Sequence, residues 1–133
     1  MSVTDTAGGE LGWNLDSLTA IHWLAILLAG ITGVIHLYIS IDALPGGLGI
    51  AFVLAGLGFF GAIVLFLYTS GRYRRWLYIA GIPFVLLQIV LYYVYNEPST
   101  LGDMATVDVV DKVVQVVLVL VLAYLLYVER DAP

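Results

Sequence analysis

The stretch LTAIHWLAILLAGITGVIHLYISI, residues 18–41, decides the fold because it is long, apolar and free of charge. Asp16 and Asp42 enclose 25 uncharged residues, and about 20 residues at 1.5 Å each are enough to cross the hydrocarbon core of a bilayer. A charged side chain is costly in that core, so the gaps between charges locate the spans. We therefore predict a membrane-spanning helix here.

Three further gaps between charges follow the same pattern. They hold 29, 21 and 16 residues and are bounded by Asp42 and Arg72, by Arg75 and Glu97, and by Lys112 and Glu129. Each gap is continuously apolar, which excludes the apolar–polar alternation of a membrane β-strand. The sequence predicts an all-α polytopic membrane protein, a four-helix up-down bundle, with spans at residues 18–41, 48–69, 75–95 and 107–128. Residues 1–17 and 129–133 are predicted to be tails.

Local signals mark the ends of these helices. Ser17 or Asp16 is the expected N-cap of span one, and Thr106 is the expected N-cap of span four. Span three is expected to end at the turn 96–98. Pro83 lies inside span three and is expected to kink it, because proline frees a backbone carbonyl one turn earlier.

The composition of the chain agrees with this class. Of its 133 residues, 62% are hydrophobic and 11% are charged, against about 25% charged in soluble domains, so a water-soluble globule is excluded. A net charge of −5 argues against a nucleic-acid partner, which would need a basic face. The chain has no cysteine, no nucleotide-binding loop and no Ser/His/Asp set. We therefore predict no catalytic residue, no metal ligand and no enzymatic activity.

The arginines predict the orientation. Arg72, Arg74 and Arg75 lie between spans two and three, and Arg130 follows span four, so all four fall on the side of the N-terminus. The opposite side has only Lys112. Because cytoplasmic loops are enriched in Lys and Arg, both termini are predicted to be cytoplasmic, in a multi-pass protein of the cell membrane.

Three short motifs carry a family resemblance: Ile35-His36-Leu37-Tyr38, Ala55-Gly56-Leu57-Gly58-Phe59 and Asp111-Lys112-Val113-Val114-Gln115. With these motifs, the chain resembles the small four-pass membrane proteins of unknown function found in haloarchaea. Seven Asp against three Glu, with a single lysine, also favour a salt-rich habitat, since excess acid keeps loops hydrated. The resemblance implies a four-pass fold and brings no activity with it.

Small residues predict which spans pack together. On span one, the residues within an arc of about 80° are His22, Ala25, Ala29, Gly33, His36 and Ser40. Span two carries small residues at Gly47, Ala51, Ala55, Gly58 and Ala62. Because small residues let helices approach closely in lipid, we predict a tight contact of Ala25, Ala29 and Gly33 against Ala51, Ala55 and Gly58. The alternative is a groove left open for a flat cofactor or a lipid.

Polar side chains at similar depth predict a cluster in the outer leaflet. His36, Gln88 and Gln115 each lie roughly 8–12 Å beneath the outer surface, and polar residues at such depth usually face the bundle interior. The predicted cluster comprises His36, Gln88, Tyr92, Asp111, Lys112 and Gln115. Asp108 and Lys112 are also expected to pair at i,i+4. The cluster is either a self-satisfied structural network or a ligand site.

Three functions fit these features. The first is a non-enzymatic accessory or scaffold subunit, or a small self-associating bundle, whose partners are the lipid bilayer and a second copy or another membrane protein. The second is transport or proton conduction by an oligomer, since an imidazole such as His36 can titrate near neutral pH. The third is binding of haem b in a dimer. His22 and His36 lie about 21 Å apart along one face, similar to the haem-ligating histidines of dihaem cytochrome b. No other cofactor is expected.

Overall fold

The four predicted spans are four α-helices in the structure, a computed structural model that describes residues 11–13, 15–96, 102 and 104–131. A short 3-10 turn at Leu15–Ser17 precedes the four helices, which are α1 (Ala20–Ala43), α2 (Gly47–Leu67), α3 (Gly71–Asn96) and α4 (Thr106–Val128). All four are long and apolar enough to cross a membrane. The predicted all-α, four-helix fold is confirmed.

Short connections make successive helices antiparallel. Helix α1 packs along α2 on one side and along α4 on the other, and α4 packs against α3, whereas α2 and α3 contact each other much less. The bundle is therefore open along its α2–α3 side. The predicted tails at 1–10 and 132–133, the turn positions Glu97 and Pro98, and Asp103 lie outside the described residues.

The core is an apolar layer in the middle of the bundle. Every helix contributes to its buried hydrophobic residues, which are Ala25, Leu28, Phe59, Phe66, Tyr78, Val85, Leu118, Leu122 and Leu125. On α4 the three leucines recur at steps of four and three, which keeps them on one face of the helix. This layer separates two groups of buried polar side chains.

Seven of the eight helix ends lie one to four residues from the predicted bounds, and three of the helix starts have a clear local cause. The N-cap of α1 is Thr19, because Ser17 and Asp16 belong to the 3-10 turn. The N-cap of α4 is Ala105, and Thr106 is the first helical residue. Helix α3 begins at Gly71, whose φ of 56° is open to glycine at little cost, and this tight turn brings the arginines that follow it into the helix. The helix then continues through Pro83.

The contact between α1 and α2 uses other α2 residues than those predicted. A Cβ on Gly33 would lie 3.0 Å from the Phe60 ring, and one on Gly56 would lie 2.7 Å from Leu37, so both glycines are needed for this approach. Gly58 faces α3 instead, since its Cβ would lie 3.1 Å from Phe84. The prediction was wrong for Gly58, because it lies about 160° around the helix from Gly56.

The other residues of the predicted contact between spans one and two are more buried on α1 than on α2. On α1, Ala25 is buried and Ala29 is half-buried, so both lie on the inner side of the helix. On α2, Ala55 is half-buried and Ala51 is exposed. The face of α2 that meets α1 repeats every seven residues, through Gly49 and Gly56, rather than along the small residues at steps of four.

Candidate functional site

One face of α4 carries a carboxylate near each end. Asp111 and Glu129 are 18 residues apart, which is five helical turns and about 27 Å, so both point in the same direction. A threonine and a histidine from α1 or its N-cap accompany each carboxylate. Thr32 bonds to Asp111 and is itself bonded by His36, whereas His22 bonds to Glu129 and is itself bonded by Thr19. We name these groups the outer layer, around Asp111, and the inner layer, around Glu129, after the predicted orientation.

The outer layer is a chain of hydrogen bonds that crosses the bundle from α1 through α4 to α3. The fully buried Thr32 donates from Oγ1 to Asp111 Oδ1 at 2.6 Å. Lys112 Nζ donates to Asp111 Oδ2 and to Gln115 Oε1, both at 2.9 Å. Gln115 Nε2 then donates to Gln88 Oε1 at 3.1 Å. Four predicted cluster residues are thus directly bonded.

His36 joins the outer layer through Thr32 rather than directly. Its Nδ1 donates to the carbonyl oxygen of Thr32 at 2.8 Å. Its ring packs against Phe52 and Phe59 of α2, with ring centroids 6.1 and 5.7 Å away. His36 is therefore held by an aromatic wall on one side and is one residue removed from the carboxylate.

Tyr92 contacts the outer layer through its ring. The ring lies under Lys112 Nζ at 4.7 Å, and its hydroxyl donates to Asp108 Oδ2 at 3.2 Å. The predicted Asp108–Lys112 pair was wrong, because Lys112 pairs with Asp111 instead. Asp111 is only 3% exposed, and a carboxylate buried that deeply is costly without a compensating cation.

Gln88 ends the chain of bonds in the outer layer. Its Oε1 accepts from Gln115, but its buried Nε2 has no hydrogen-bond partner among the residues that the structure describes. The amide is therefore the least satisfied group of this layer. A buried amide donor without a partner typically costs about 1–3 kcal/mol.

The inner layer centres on Glu129, just past the end of α4. Its Oε2 lies 2.6 Å from His22 Nε2, and Tyr78 donates its hydroxyl proton to both carboxylate oxygens at 3.0 and 3.1 Å. His22 Nδ1 accepts from the Thr19 backbone N–H at 2.9 Å, so a neutral His22 carries its proton on Nε2 and donates it to Glu129. This contact ties together α1, α3 and the end of α4.

Glu129 is held in its charged form by these contacts. Burial alone raises the pKa of Glu129, but the hydrogen bond and charge of His22, the hydroxyl of Tyr78 and the charge of Arg74 outweigh burial. The pKa of Glu129 therefore lies below its ordinary value of 4.5. At neutral pH the inner layer contains a carboxylate.

Arg74 lies inside the bundle, although its sequence position suggested a loop charge. It is 2% exposed, and its Nη2 donates to the carbonyl oxygens of Phe66 and Thr69 at the end of α2. Phe66 lies in the last turn of α2 and Thr69 shortly follows it, so Arg74 caps the C-terminal end of α2. Its guanidinium also lies 4.8 Å over the Phe66 ring. Its Nε has no partner in the described part of the chain.

A hollow of about 370 Å³ opens beside the inner layer. Its polar lining comes from five short or charged side chains, which are Ser17, Thr19, Ser70, Arg74 and Glu129, together with His22. The outer layer is closed by comparison, since Asp111, Lys112 and Gln115 are all buried. Solvent therefore has a wider approach to Glu129 than to Asp111.

Sequence reasoning missed five residues of these layers, which are Thr19, Thr32, Arg74, Tyr78 and Glu129. Two signals were present in the sequence. Asp111 and Glu129 are spaced by five whole turns, and each histidine of α1 follows a threonine by three or four residues. Glu129 was instead assigned to a tail because it ends the apolar run of span four.

The two histidines differ in which of their ring nitrogens the described contacts engage, and so in how readily they could ligate a metal. Both ring nitrogens of His22 are engaged, so ligation there would displace Thr19 or Glu129. On His36, the nitrogen Nδ1 is engaged by Thr32. Across the described ranges, no three His, Asp or Glu side chains converge as a metal site would require.

Comparison with known proteins gives a family but no activity. A family model described as "Family of unknown function (DUF7475)" matches residues 13–127. The match covers most of the chain, so the chain belongs to this family. No curated protein and no solved structure matches it.

Proposed function

We propose that this member of the family is a non-enzymatic accessory or scaffold protein of the membrane, which works by helix–helix association through the outward side of α2. The observation that supports this is a stripe of small residues there, Gly47, Ala51, Gly58 and Gly61, all of which are exposed. They fall within an arc of about 80°. We call them the α2 stripe.

The α2 stripe lies on the side of α2 opposite the contact with α1, and Gly58 within it borders Phe84 of α3. A Cβ added to Gly47 or to Gly61 would meet nothing within 4 Å. The face of α2 that contacts α1 is centred on Gly56, on the opposite side of the helix. In lipid there is no hydrophobic drive between helices, so close approach over small residues is a main source of association. A second copy is the partner that we expect.

The filled interior of the bundle supports the same proposal. Of the buried side-chain nitrogens and oxygens in the described ranges, only Arg74 Nε and Gln88 Nε2 lack a hydrogen-bond partner. The outer layer consists largely of groups that satisfy one another, as expected for a structural network. An interior of this kind leaves the outside of the bundle as the surface available to partners.

Self-association can be tested by energy transfer between labelled copies in liposomes at several protein-to-lipid ratios. Gly61→Leu and Ala51→Leu are expected to weaken association at least fivefold, because their side chains hold the helices apart. Ala123→Leu is the matched control, since Ala123 is equally exposed but lies on α4. A wild-type chain that stays monomeric at every ratio would contradict self-association.

Proton transfer is a second candidate, supported by the two layers. Each layer places a histidine within one or two hydrogen bonds of a carboxylate, and Tyr78 adds a hydroxyl to the inner one. The leucines from Leu118 to Leu125 occupy the space between the layers, about 10 Å along α4, so conduction would require water there. Proton flux into liposomes that carry a pH-sensitive dye tests this, with Asp111→Asn as the variant expected to abolish it.

Two finer proposals have separate tests. Haem b binding at His22 and His36 predicts a Soret band after reconstitution with haem, and its absence would remove this proposal.

The haloarchaeal resemblance, with a net charge of −5, predicts that the purified protein melts at a higher temperature in molar salt than in dilute buffer.

A further inference from the structure

The open side of the bundle forms an apolar crevice between α2 and α3. It has a volume of about 70 Å³, and its lining is almost entirely carbon. Phe59, Ala62 and Phe66 line it from α2, and Leu77, Gly81 and Val85 line it from α3. It reaches into the core of the bundle, where it is closed by Ala25 and Ala29 of α1 and by Leu118 and Leu122 of α4. These residues all belong to helices that are long and apolar enough to span a membrane. The crevice therefore faces hydrocarbon rather than water.

Small side chains keep the crevice open toward the lipid. Ala62 is exposed although it lines the crevice. Gly81 brings no side chain, and a Cβ there would already lie 3.2 Å from Leu122. Contact between the two helices is made mainly by the ring pairs Phe59–Phe84 and Phe66–Tyr78, at 5.1 and 5.9 Å. The space between these pairs has the character of a site for an acyl chain.

Arg74 lies just beyond the inner end of this crevice, where it lines the hollow beside Glu129. The residues 74, 77, 81 and 85 follow the three- and four-residue steps of one helix face, so Arg74 lies on the crevice side of α3. Its guanidinium lies 4.8 Å over Phe66, which is itself a crevice residue. Only 2% of Arg74 is exposed, and its Nε has no hydrogen-bond partner among the described residues. A buried cation with a spare donor thus adjoins the apolar crevice.

The electrostatics of this end favour an anion. The first turn of α3 is the positive end of the helix dipole, where anions are stabilised and cations are not. Arg74 and Arg75 nevertheless occupy this turn, where Arg74 caps the end of α2 and Arg75 donates to the carbonyl oxygen of Glu129 at the end of α4. Glu129 adds a negative charge nearby, but its carboxylate oxygens are already engaged by His22 and Tyr78. A phosphate group would complement both Arg74 and the helix end.

We propose that the crevice between α2 and α3 binds one anionic phospholipid, with an acyl chain along the crevice and the phosphate at Arg74. The cap that Arg74 provides to α2 accounts for its Nη2 but not for its Nε. Basic pockets between membrane helices on the cytoplasmic side are the usual setting for anionic headgroups. The orientation predicted from the arginines puts the crevice mouth on that side.

The test is native mass spectrometry of the purified full chain in detergent, with three probes added separately. They are dioleoyl phosphatidylglycerol, dioleoyl phosphatidylcholine and inorganic phosphate. One phosphatidylglycerol is expected to stay bound, at least fivefold more often than phosphatidylcholine, since one cation near a headgroup is worth about a factor of five. Inorganic phosphate, which lacks acyl chains, is expected not to stay bound.

Two variants separate the crevice from the charge. Ala62→Phe fills the crevice and keeps every arginine, so it should reduce phosphatidylglycerol retention at least fivefold, whereas Ala123→Phe on the lipid side of α4 should not. Arg74→Gln should remove the preference for phosphatidylglycerol over phosphatidylcholine. Arg72→Gln is the matched control, because Arg72 is exposed on the opposite side of α3. A melting temperature for each variant shows whether it is folded.

Three results would overturn the proposal. Equal retention of the two lipids by the wild type would show that charge does not select the ligand. Retention of inorganic phosphate as strong as that of phosphatidylglycerol would indicate a free-anion site. Full phosphatidylglycerol binding by a folded Ala62→Phe protein would place the lipid elsewhere, even if Arg74→Gln fails to fold.

Discussion

Gln115 uses both ends of its amide, since its oxygen accepts from Lys112 and its nitrogen donates to Gln88. Interhelical hydrogen bonds in membranes average only about 0.6 kcal/mol. Gln88→Leu is expected to lower the unfolding free energy by less than about 1 kcal/mol, because Gln88 already has an unpartnered Nε2. Gln115→Leu should cost more, because it also removes a partner of Lys112.

The two glutamine substitutions should couple in a double-mutant cycle measured by unfolding in mixed detergent. We expect a coupling of about 0.5 kcal/mol or more, since the residues share one hydrogen bond. Additive effects would contradict the contact between α3 and α4 in the outer layer. Val113→Leu, at an exposed position of α4, is a control that should change neither the stability nor the coupling.

Glu129 gives the inner layer a defined pH dependence. The pKa of Glu129 is lowered on folding, so its contribution to stability is present above its ordinary value of 4.5 and is lost as the pH falls through the lowered value. At neutral pH, Glu129→Gln should destabilise the protein by about 1–3 kcal/mol, because His22 and Tyr78 lose a charged acceptor. The difference in melting temperature between the two proteins should shrink below pH 4.5. A difference that stays constant down to pH 3 would contradict this account.

At the scale of the helix, the contact between α1 and α2 predicts opposite outcomes for two glycines of α2. Gly56→Leu should destabilise the folded monomer by about 1–3 kcal/mol, because a Cβ there already lies 2.7 Å from Leu37. Gly61→Leu should leave the stability of the monomer unchanged, because nothing lies within 4 Å of its Cβ. Thermal melts of both variants at a high detergent-to-protein ratio check this. Equal melting temperatures would mean that Gly56 is not in a close contact.

The existence and order of the helices could be predicted from the sequence because charge is excluded from hydrocarbon over whole spans. The rotation of each helix could not. On α2 the residues are apolar all round, so a stripe of small residues at steps of four looked like the packing face, and the structure instead packs the side that carries Gly56 and Phe59. Where every face is apolar, periodicity carries no information about which face is inside.

At the scale of the whole molecule, the sequence predicted residues of the outer layer but missed most of the inner layer. His36, Gln88 and Gln115 were predictable because depth in the membrane can be counted along each helix. The inner layer was missed because it draws one residue from each of several segments. Glu129 follows the last helix, Tyr78 lies in the first half of α3, and Arg74 was placed between spans two and three. Their contacts depend on how the helix ends meet, which spacing within one helix does not specify.

The orientation of the bundle decides which layer faces the cytoplasm, and it can be tested directly because the chain has no cysteine. Ser70 lies between α2 and α3, beside the arginines, and Asp42 is exposed near the opposite end of α1. Ser70→Cys should be protected from a membrane-impermeant maleimide in intact cells and react after permeabilisation. Asp42→Cys should react in intact cells. The reverse pattern would place Glu129 and the mouth of the crevice outside, where the positive-inside rule gives no reason for four arginines.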